Sequence, residues 1–332
     1  MSEAIFVIGS NSISGASFIS HCLKEGLRVV GVSRSAELPE CLLPYRWLGQ
    51  KFQAGFSFHQ CDINHDLEKI LSLFEESKVG CVVNFAAQSM VAESWLYPDQ
   101  WYQTNVVANV RLHEGLRKVK NLQRYVHVST PEVYGSCSGT VLENENYRPS
   151  TPYAASRAAC DLHLMTFWKQ YGFPVCFTRA ANVYGPGQQL YRIIPRTVLA
   201  ILTGEKLKLH GGGHSIRSFI HLEDVSRATL RIAQRGESGE IYHLSTDRFV
   251  SIRELVEMIC STMGVAFHDV VDVVDDRPGK DAAYLLDSSK CRNVMEWSDS
   301  VSLEQGIHEV IEWAKLRLPE LSRLPFTYQH KP

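Results

Sequence analysis

The nine cysteines of this sequence show no paired spacing, so neither a disulfide frame nor a zinc site is indicated. Its thirteen histidines contain no His-Glu-x-x-His grouping. His210 and His214 flank Gly211-Gly212-Gly213 without supporting ligands and read as an ordinary loop, so no metal is expected. No apolar run is long enough to span a bilayer, and the opening residues lack the pattern of a secretory signal. Charge is nearly balanced at −2, which argues against generic binding to nucleic acid or to a membrane surface. There is no internal repeat and no low-complexity tract. What remains is the expectation of a reduced, cytoplasmic globular protein. At 332 residues, 45% of them apolar, the chain can form one large α/β unit or two modest domains with a sizeable core.

The opening run Ala4-Ile5-Phe6-Val7-Ile8 has the pattern of a buried strand. It leads into Gly9-Ser10-Asn11-Ser12-Ile13-Ser14-Gly15 and then an amphipathic segment through Lys24. A strand, a glycine-bearing turn and a helix make a cradle for a dinucleotide, whose pyrophosphate meets backbone N–H groups at the helix N-terminus. Gly9, Asn11, Ser12, Ile13 and Gly15 are the candidate contacts. By itself the turn is a weak signal, and a tight strand–helix connection without ligand is the bland alternative. Arg28-Val29-Val30-Gly31-Val32-Ser33-Arg34-Ser35 reads as a second strand. An acid at its end would bind a ribose 2′-hydroxyl and favour NAD; none is present. Ser33, Arg34 and Ser35 offer a cation and hydroxyls instead, which suit the 2′-phosphate of NADP, and NADP is expected in preference to NAD. Residues 36–55 look like an irregular loop. A third strand, Phe56–Cys61, ends in Asp62-Ile63, where the acid could accept the adenine amino group. Cys81-Val82-Val83-Asn84-Phe85-Ala86-Ala87 reads as a fourth, with small residues at its end that let a flat ring lie against the backbone, and Gln88 and Ser89 follow at the mouth of the same crevice. Residues 100–118 read as a helix carrying Asn105, with a face able to pair with a second copy.

The chemistry concentrates in two segments. Arg124–Val128 is an alternating strand that ends in Ser129-Thr130-Pro131-Glu132-Val133-Tyr134-Gly135, and open α/β sheets place their reactive groups at such ends. Ser150-Thr151-Pro152 then starts a helix bearing Tyr153 and Arg157, which share one face. A guanidinium beside Tyr153 favours its phenolate and would make it a base.

These segments, in this order, resemble the extended short-chain dehydrogenases/reductases that act on nucleotide sugars. The likeness covers nearly the whole chain. It continues through Asn182-Val183-Tyr184-Gly185-Pro186, Arg217-Ser218-Phe219-Ile220-His221 with Asp224-Val225, and Asp276-Arg277-Pro278-Gly279-Lys280-Asp281. The Thr-x-Glu-x-Tyr-Gly and Arg-Pro-Gly segments look most like dTDP-glucose 4,6-dehydratases. Ala86-Ala87-Gln88-Ser89, with Val91, Ser94 and the Ser33-Arg34-Ser35 strand end, is more similar to GDP-mannose 4,6-dehydratases. The resemblance implies a Rossmann-type doubly wound parallel sheet with a smaller, interleaved α/β substrate lobe. The first would span 1–180 plus 217–245, the second 181–216 plus 246–332, with helices near 223–235, 252–263 and 302–317.

It also implies roles. Tyr153, helped by Thr130, takes the proton of the sugar 4-hydroxyl while hydride leaves carbon 4. Glu132 removes the proton made acidic on carbon 5, water leaves carbon 6, and hydride returns there. Arg157 bonds the nicotinamide ribose. Gln88, Ser89, Asn182, Arg192, Arg217 and Arg277 surround a nucleoside-diphosphate hexose, GDP- or dTDP-linked, in a homodimer or homotetramer. Three positions depart from the family pattern. Ser12 stands at the turn's middle glycine. Pro131, which has no proton to give, stands where dTDP-glucose dehydratases carry an acid. Arg157 stands where the family has lysine and keeps the charge with a wider group. A 4-epimerase, a glucuronate decarboxylase and a 5,6-dehydratase share the first oxidation and remain alternatives. A non-catalytic NADP-binding sensor or scaffold is the alternative of another class.

Overall fold

In the computed structural model, which describes residues 4–137, 139–275 and 285–331, seven parallel strands form one sheet. They are β1 (Ala4–Ile8), β2 (Arg28–Ser33), β3 (Phe56–Gln60), β4 (Cys81–Asn84), β5 (Arg124–Val128), β6 (Val175–Ala180) and β7 (Ile241–Leu244), in the spatial order 7-6-5-4-1-2-3. The order reverses between β1 and β4, which opens a crevice at the carboxyl ends. Every residue of β1 is buried because both faces of the sheet are covered. Ile5 and Val7 pack with helix α1 (Ile13–Lys24) on one face, and Ala4, Phe6 and Ile8 pack on the other. Each such side chain contributes roughly 1.5–3 kcal/mol of burial.

The chain between β2 and β3 is more ordered than a loop: it makes 3₁₀ turns at Glu40–Leu42 and Pro44–Trp47 and a helical turn at Gln50–Gln53. The reason is burial. Tyr45 packs on Phe56 with ring centroids 4.6 Å apart and donates its hydroxyl proton to Glu37 at 2.9 Å.

Two further helices position the site. Helix α2 (Pro152–Tyr171) is capped by Thr151, whose Oγ1 accepts from the N–H of Ala154 at 3.1 Å, and starts with a proline whose missing N–H costs nothing there. Helix α3 (Leu222–Arg235) lies against α1, and β7 then pairs with β6. A second, three-stranded sheet joins Asn182–Tyr184, Ile216–His221 and Phe249–Ser251. It packs with the helices Ile193–Thr203, Ile252–Thr262 and Leu303–Leu321 around a separate core. No helix among the described residues is long and apolar enough to cross a membrane.

Candidate active site

The turn after β1 is built as the glycine pattern requires at two positions. Gly9 sits at φ +83°, and a Cβ there would lie 2.7 Å from the backbone N of Ala86. A Cβ on Gly15 would lie 2.4 Å from the carbonyl oxygen of Gly9. Ser12 is a different matter. It does not take a glycine geometry; its φ of −69° and ψ of 149° are ordinary extended values. Its hydroxyl donates to the Gly9 carbonyl at 2.8 Å and accepts from the Gly15 N–H at 3.0 Å, so serine caps α1 without backbone strain. Asn11 ties the turn to the end of β2 by donating to the carbonyls of Ser35 and Ala36. No acid lies in the first turn of α1, which leaves its positive end for an anion.

This turn opens on a cleft of about 470 Å³. It is lined by Gly9, Asn11, Ser12, Ser33, Arg34, Asp62, Ile63, Phe85, Ala86, Ala87, Gln88 and Ser89, so most of the expected cofactor contacts meet in one place. Asn105 is not among them. It is fully buried in a π-helical stretch, Gln103–Ala108. Its amide accepts from the Gln88 N–H at 2.8 Å and donates to the Gln88 carbonyl and to Ser156 Oγ, both at 3.0 Å. Its hydrogen-bonding capacity is therefore used in shaping the Gln88 backbone, not in reaching a ligand. The side chain of Gln88, expected on the substrate, donates to the carbonyl of Lys331 at 2.8 Å, and Arg34 donates to the same carbonyl at 3.1 Å.

The reactive set lies beside this cleft, at the end of β5. Thr130 is extended and buried, and its Oγ1 accepts from the Glu132 N–H at 3.3 Å, capping a short 3₁₀ turn, Pro131–Tyr134. Pro131 thus occupies the first position of a helical turn, where its fixed φ is favourable. Tyr153, on α2, is buried within reach of Thr130, Glu132, Arg157 and Arg192, each of which acts on its phenol. Burial and then the Glu132 charge push its pKa up; Arg157, the Thr130 hydrogen bond and Arg192 pull down more weakly. The expected lowering by Arg157 is thus present but outweighed. The reason lies in where Arg157 points: it is almost fully buried, donates to the Val128 carbonyl, and meets His127 Nε2 at 3.2 Å. Its Nε and Nη1 are buried and have no partner among the described residues. These two donors lie inside the end of β5 and Arg157 does not line the cleft; what fits a bound dinucleotide is the close approach at Gly9, which a Cβ would fill, beside the open N-terminus of α1.

Asn182 begins its strand half-buried, and Arg192, exposed, lies over the Tyr191 ring at 5.4 Å. Arg217 donates to the carbonyl of its neighbour Ile216 at 2.7 Å. Arg277 lies outside the described residues.

Behind Tyr153 is a buried layer that sequence reasoning did not single out. Asp161, one turn beyond Arg157, accepts from Arg179 at 2.8 Å and from Ser129 at 2.7 Å. Arg179 also donates to the hydroxyls of Tyr134 and Tyr147. The i, i+4, i+8 spacing of Tyr153, Arg157 and Asp161 on one helix was the available signal. His113, His127 and Cys160 cluster closely enough to hold a metal ion, but the Arg157 guanidinium against His127 opposes a cation there, and His113 Nε2 already meets the Tyr125 hydroxyl at 2.9 Å.

A parallel sheet with a glycine turn, and a threonine, glutamate and tyrosine gathered at the end of β5, defines an extended short-chain dehydrogenase/reductase. The model of the GDP-mannose 4,6-dehydratase family matches residues 6–310. A dTDP-glucose 4,6-dehydratase of Xanthomonas campestris pv. campestris is 30% identical over 325 residues, covering 92% of both chains. The Bos taurus dTDP-D-glucose 4,6-dehydratase is 34% identical over 265 residues, 78% of this chain and 74% of the relative. Among solved structures, DesIV, the dTDP-glucose 4,6-dehydratase of Streptomyces venezuelae with NAD and TYD bound, superposes with a TM-score of 0.85 at 28% identity, covering 96% of this chain and 98% of that one. The chain belongs to the GDP-mannose 4,6-dehydratase family of nucleotide-sugar dehydratases. The expectation of NADP in preference to NAD finds no support: DesIV was crystallised with NAD, and Arg34 is turned to the Lys331 carbonyl.

Proposed function

We propose that the protein is a nucleotide-hexose 4,6-dehydratase that converts dTDP-glucose to its 4-keto-6-deoxy product, with NAD as cofactor. The observation that carries this reading is the arrangement at the end of β5: Thr130 and Glu132 sit on one turn, both close enough to Tyr153 to act on its phenol. A 4-epimerase has no use for a carboxylate at carbon 5, so Glu132 favours elimination.

A nicotinamide dinucleotide, when bound, supplies the hydride acceptor for carbon 4 and the donor for carbon 6. The backbone at Gly9, Ser12 and Ile13 would hold its phosphates, and Arg157 is assigned to its ribose. Tyr153 receives the proton of the 4-hydroxyl, with Thr130 steadying the charge on its oxygen. Glu132 takes the carbon 5 proton and, with Pro131 unable to act as an acid, is the group that returns it to the departing hydroxyl. Asn182, Arg192, Arg217 and Arg277 are assigned to the sugar nucleotide, in the cleft between a cofactor domain (1–180 plus 217–245) and a substrate domain (181–216 plus 246–332). Exposed Tyr102, Val107 and Leu162, on helical segments packed side by side, support a homodimer. Nine free cysteines suit the cytoplasm.

The test is incubation with dTDP-glucose, GDP-mannose and UDP-glucose in deuterated water, followed by mass spectrometry. Loss of one water with deuterium at carbon 5, and no net change in cofactor, is expected with dTDP-glucose. A mass-neutral product would make the protein an epimerase. Elimination with GDP-mannose instead would keep the reaction and change the nucleotide.

A further inference from the structure

The helix Leu303–Leu321 is followed by a segment that leaves the smaller lobe and lines part of the cleft beside the glycine turn. It is anchored at its start, where Leu324 and Phe326 pack on the core of the smaller lobe. Tyr328 meets Tyr191 edge to face, with centroids 5.3 Å apart. His330 lies parallel to Tyr97 at 4.9 Å and stacks on Trp101 at 5.4 Å, and its Nε2 is 2.6 Å from Gln100 Oε1. The Lys331 carbonyl then accepts from both Arg34, after β2, and Gln88, after β4. Strand β1, which carries the glycine turn, lies between those two strands. The cleft of about 470 Å³ is lined both by the turn and by Pro325, Thr327, Tyr328, Gln329 and Lys331, so the segment forms part of the wall of an open space.

We infer that residues 327–331 are the outer wall of the dinucleotide site, a strap that holds the cofactor in place and must lift for it to exchange. The inference rests on the reading of this cleft as the NAD site. The contacts are of the right strength for such a part. Two ring stacks, one edge-to-face contact and three hydrogen bonds, each worth roughly a factor of two to ten in an opening equilibrium, slow release without a covalent seal. Retention suits the proposed chemistry, since a cofactor that ends each cycle as it began has no need to leave. The strap also gives Arg34 an acceptor at the position where a 2′-phosphate would need it, so the same contact disfavours NADP.

The experiment compares NAD binding by the full chain, by a chain lacking residues 328–332, and by His330→Ala, using stopped-flow displacement and equilibrium titration. The truncation keeps Leu324 and Phe326, and a thermal midpoint close to that of the full chain establishes that it folds. Expected are a dissociation rate at least tenfold faster for the truncation, an intermediate rise for His330→Ala, and a relative gain in affinity for NADP over NAD. Equal dissociation rates in the three proteins would overturn the strap while leaving the site intact. Tighter NAD binding by the truncation would also overturn it, making the segment a competitor for the cleft. Failure of all three proteins to bind NAD would overturn both the strap and the reading of the cleft on which it rests.

Discussion

Replacing Asp161 by asparagine removes one charge from an ion pair that water does not reach. Asp161 and Arg179 are both fully buried and 2.8 Å apart. At an effective dielectric constant of about 20 the gross attraction is about 6 kcal/mol, much of it offset by the cost of bringing both ions out of water. The net cost of deleting one partner is larger than the net worth of the pair, because the other charge stays buried: about 3–5 kcal/mol. Asparagine keeps an acceptor for Ser129, so the change isolates the charge. At roughly 2 °C per kcal/mol for a chain of this size, the thermal midpoint of Asp161→Asn falls by about 6–10 °C. Arg179→Met behaves similarly, and the double variant is no worse than either single, giving a coupling on the order of 3 kcal/mol in urea denaturation. The pH dependence has a definite sign. Burial would raise the Asp161 carboxyl, but the His127 contact and Arg179 overcome it and hold it down at about 2. A depressed carboxylate stabilises the fold above the ordinary carboxylate range, and that stability is lost as pH falls through about 2. The gap between wild type and Asp161→Asn should therefore narrow in strong acid. Single variants costing under about 1 kcal/mol each, with additive effects, would refute the reasoning.

Glu132→Gln should stop the reaction after oxidation: reduced cofactor accumulates on adding substrate, detected by its absorbance, and no water is lost. Accumulation of dehydrated product at the wild-type rate would remove Glu132 from the elimination. Tyr153→Phe should lower kcat by about 10²–10⁴-fold. Because burial and then Glu132 hold the Tyr153 hydroxyl above its ordinary pKa, kcat/KM should rise with pH into the alkaline range. Loss of the Glu132 charge should move that limb, read on the oxidation step, to lower pH, and a move upward would contradict the assignment. Gly9→Ala puts a Cβ 2.7 Å from the Ala86 N in a left-handed conformation, so NAD binding measured by titration should be lost or fall by at least tenfold.

Much of the nucleotide-binding half was legible in local pattern. Five buried apolar residues, a glycine that must turn at φ +83° and a capped helix specify a strand–turn–helix unit with little help from the rest of the chain. The same holds for Thr130 and Glu132 on the turn after β5, and for Tyr153 and Arg157 one helical turn apart. Local pattern was weaker wherever a polar side chain had to choose between a ligand and a distant backbone. Asn105 and Gln88 are both polar groups near the crevice, yet they serve one another and Lys331. Ser12 looked like a poor substitute for glycine only until its extended backbone was seen.

The amino-acid sequence by itself determined most of the strands and helices, the glycine turn after β1, and which side chains are candidates for the chemistry, because each of these depends on residues within a few positions of one another. The tertiary structure alone decided the environment of those groups. Whether Tyr153 is eased or hindered in losing its proton depends on burial and on a glutamate from another element. Where the Arg157 charge is spent depends on the carbonyl of Val128 and on His127. What closes one wall of the cleft depends on a contact between Arg34 and Lys331, 297 positions apart. Such contacts arise only after the sheet has closed and the two lobes have met, and no periodicity along the chain encodes them.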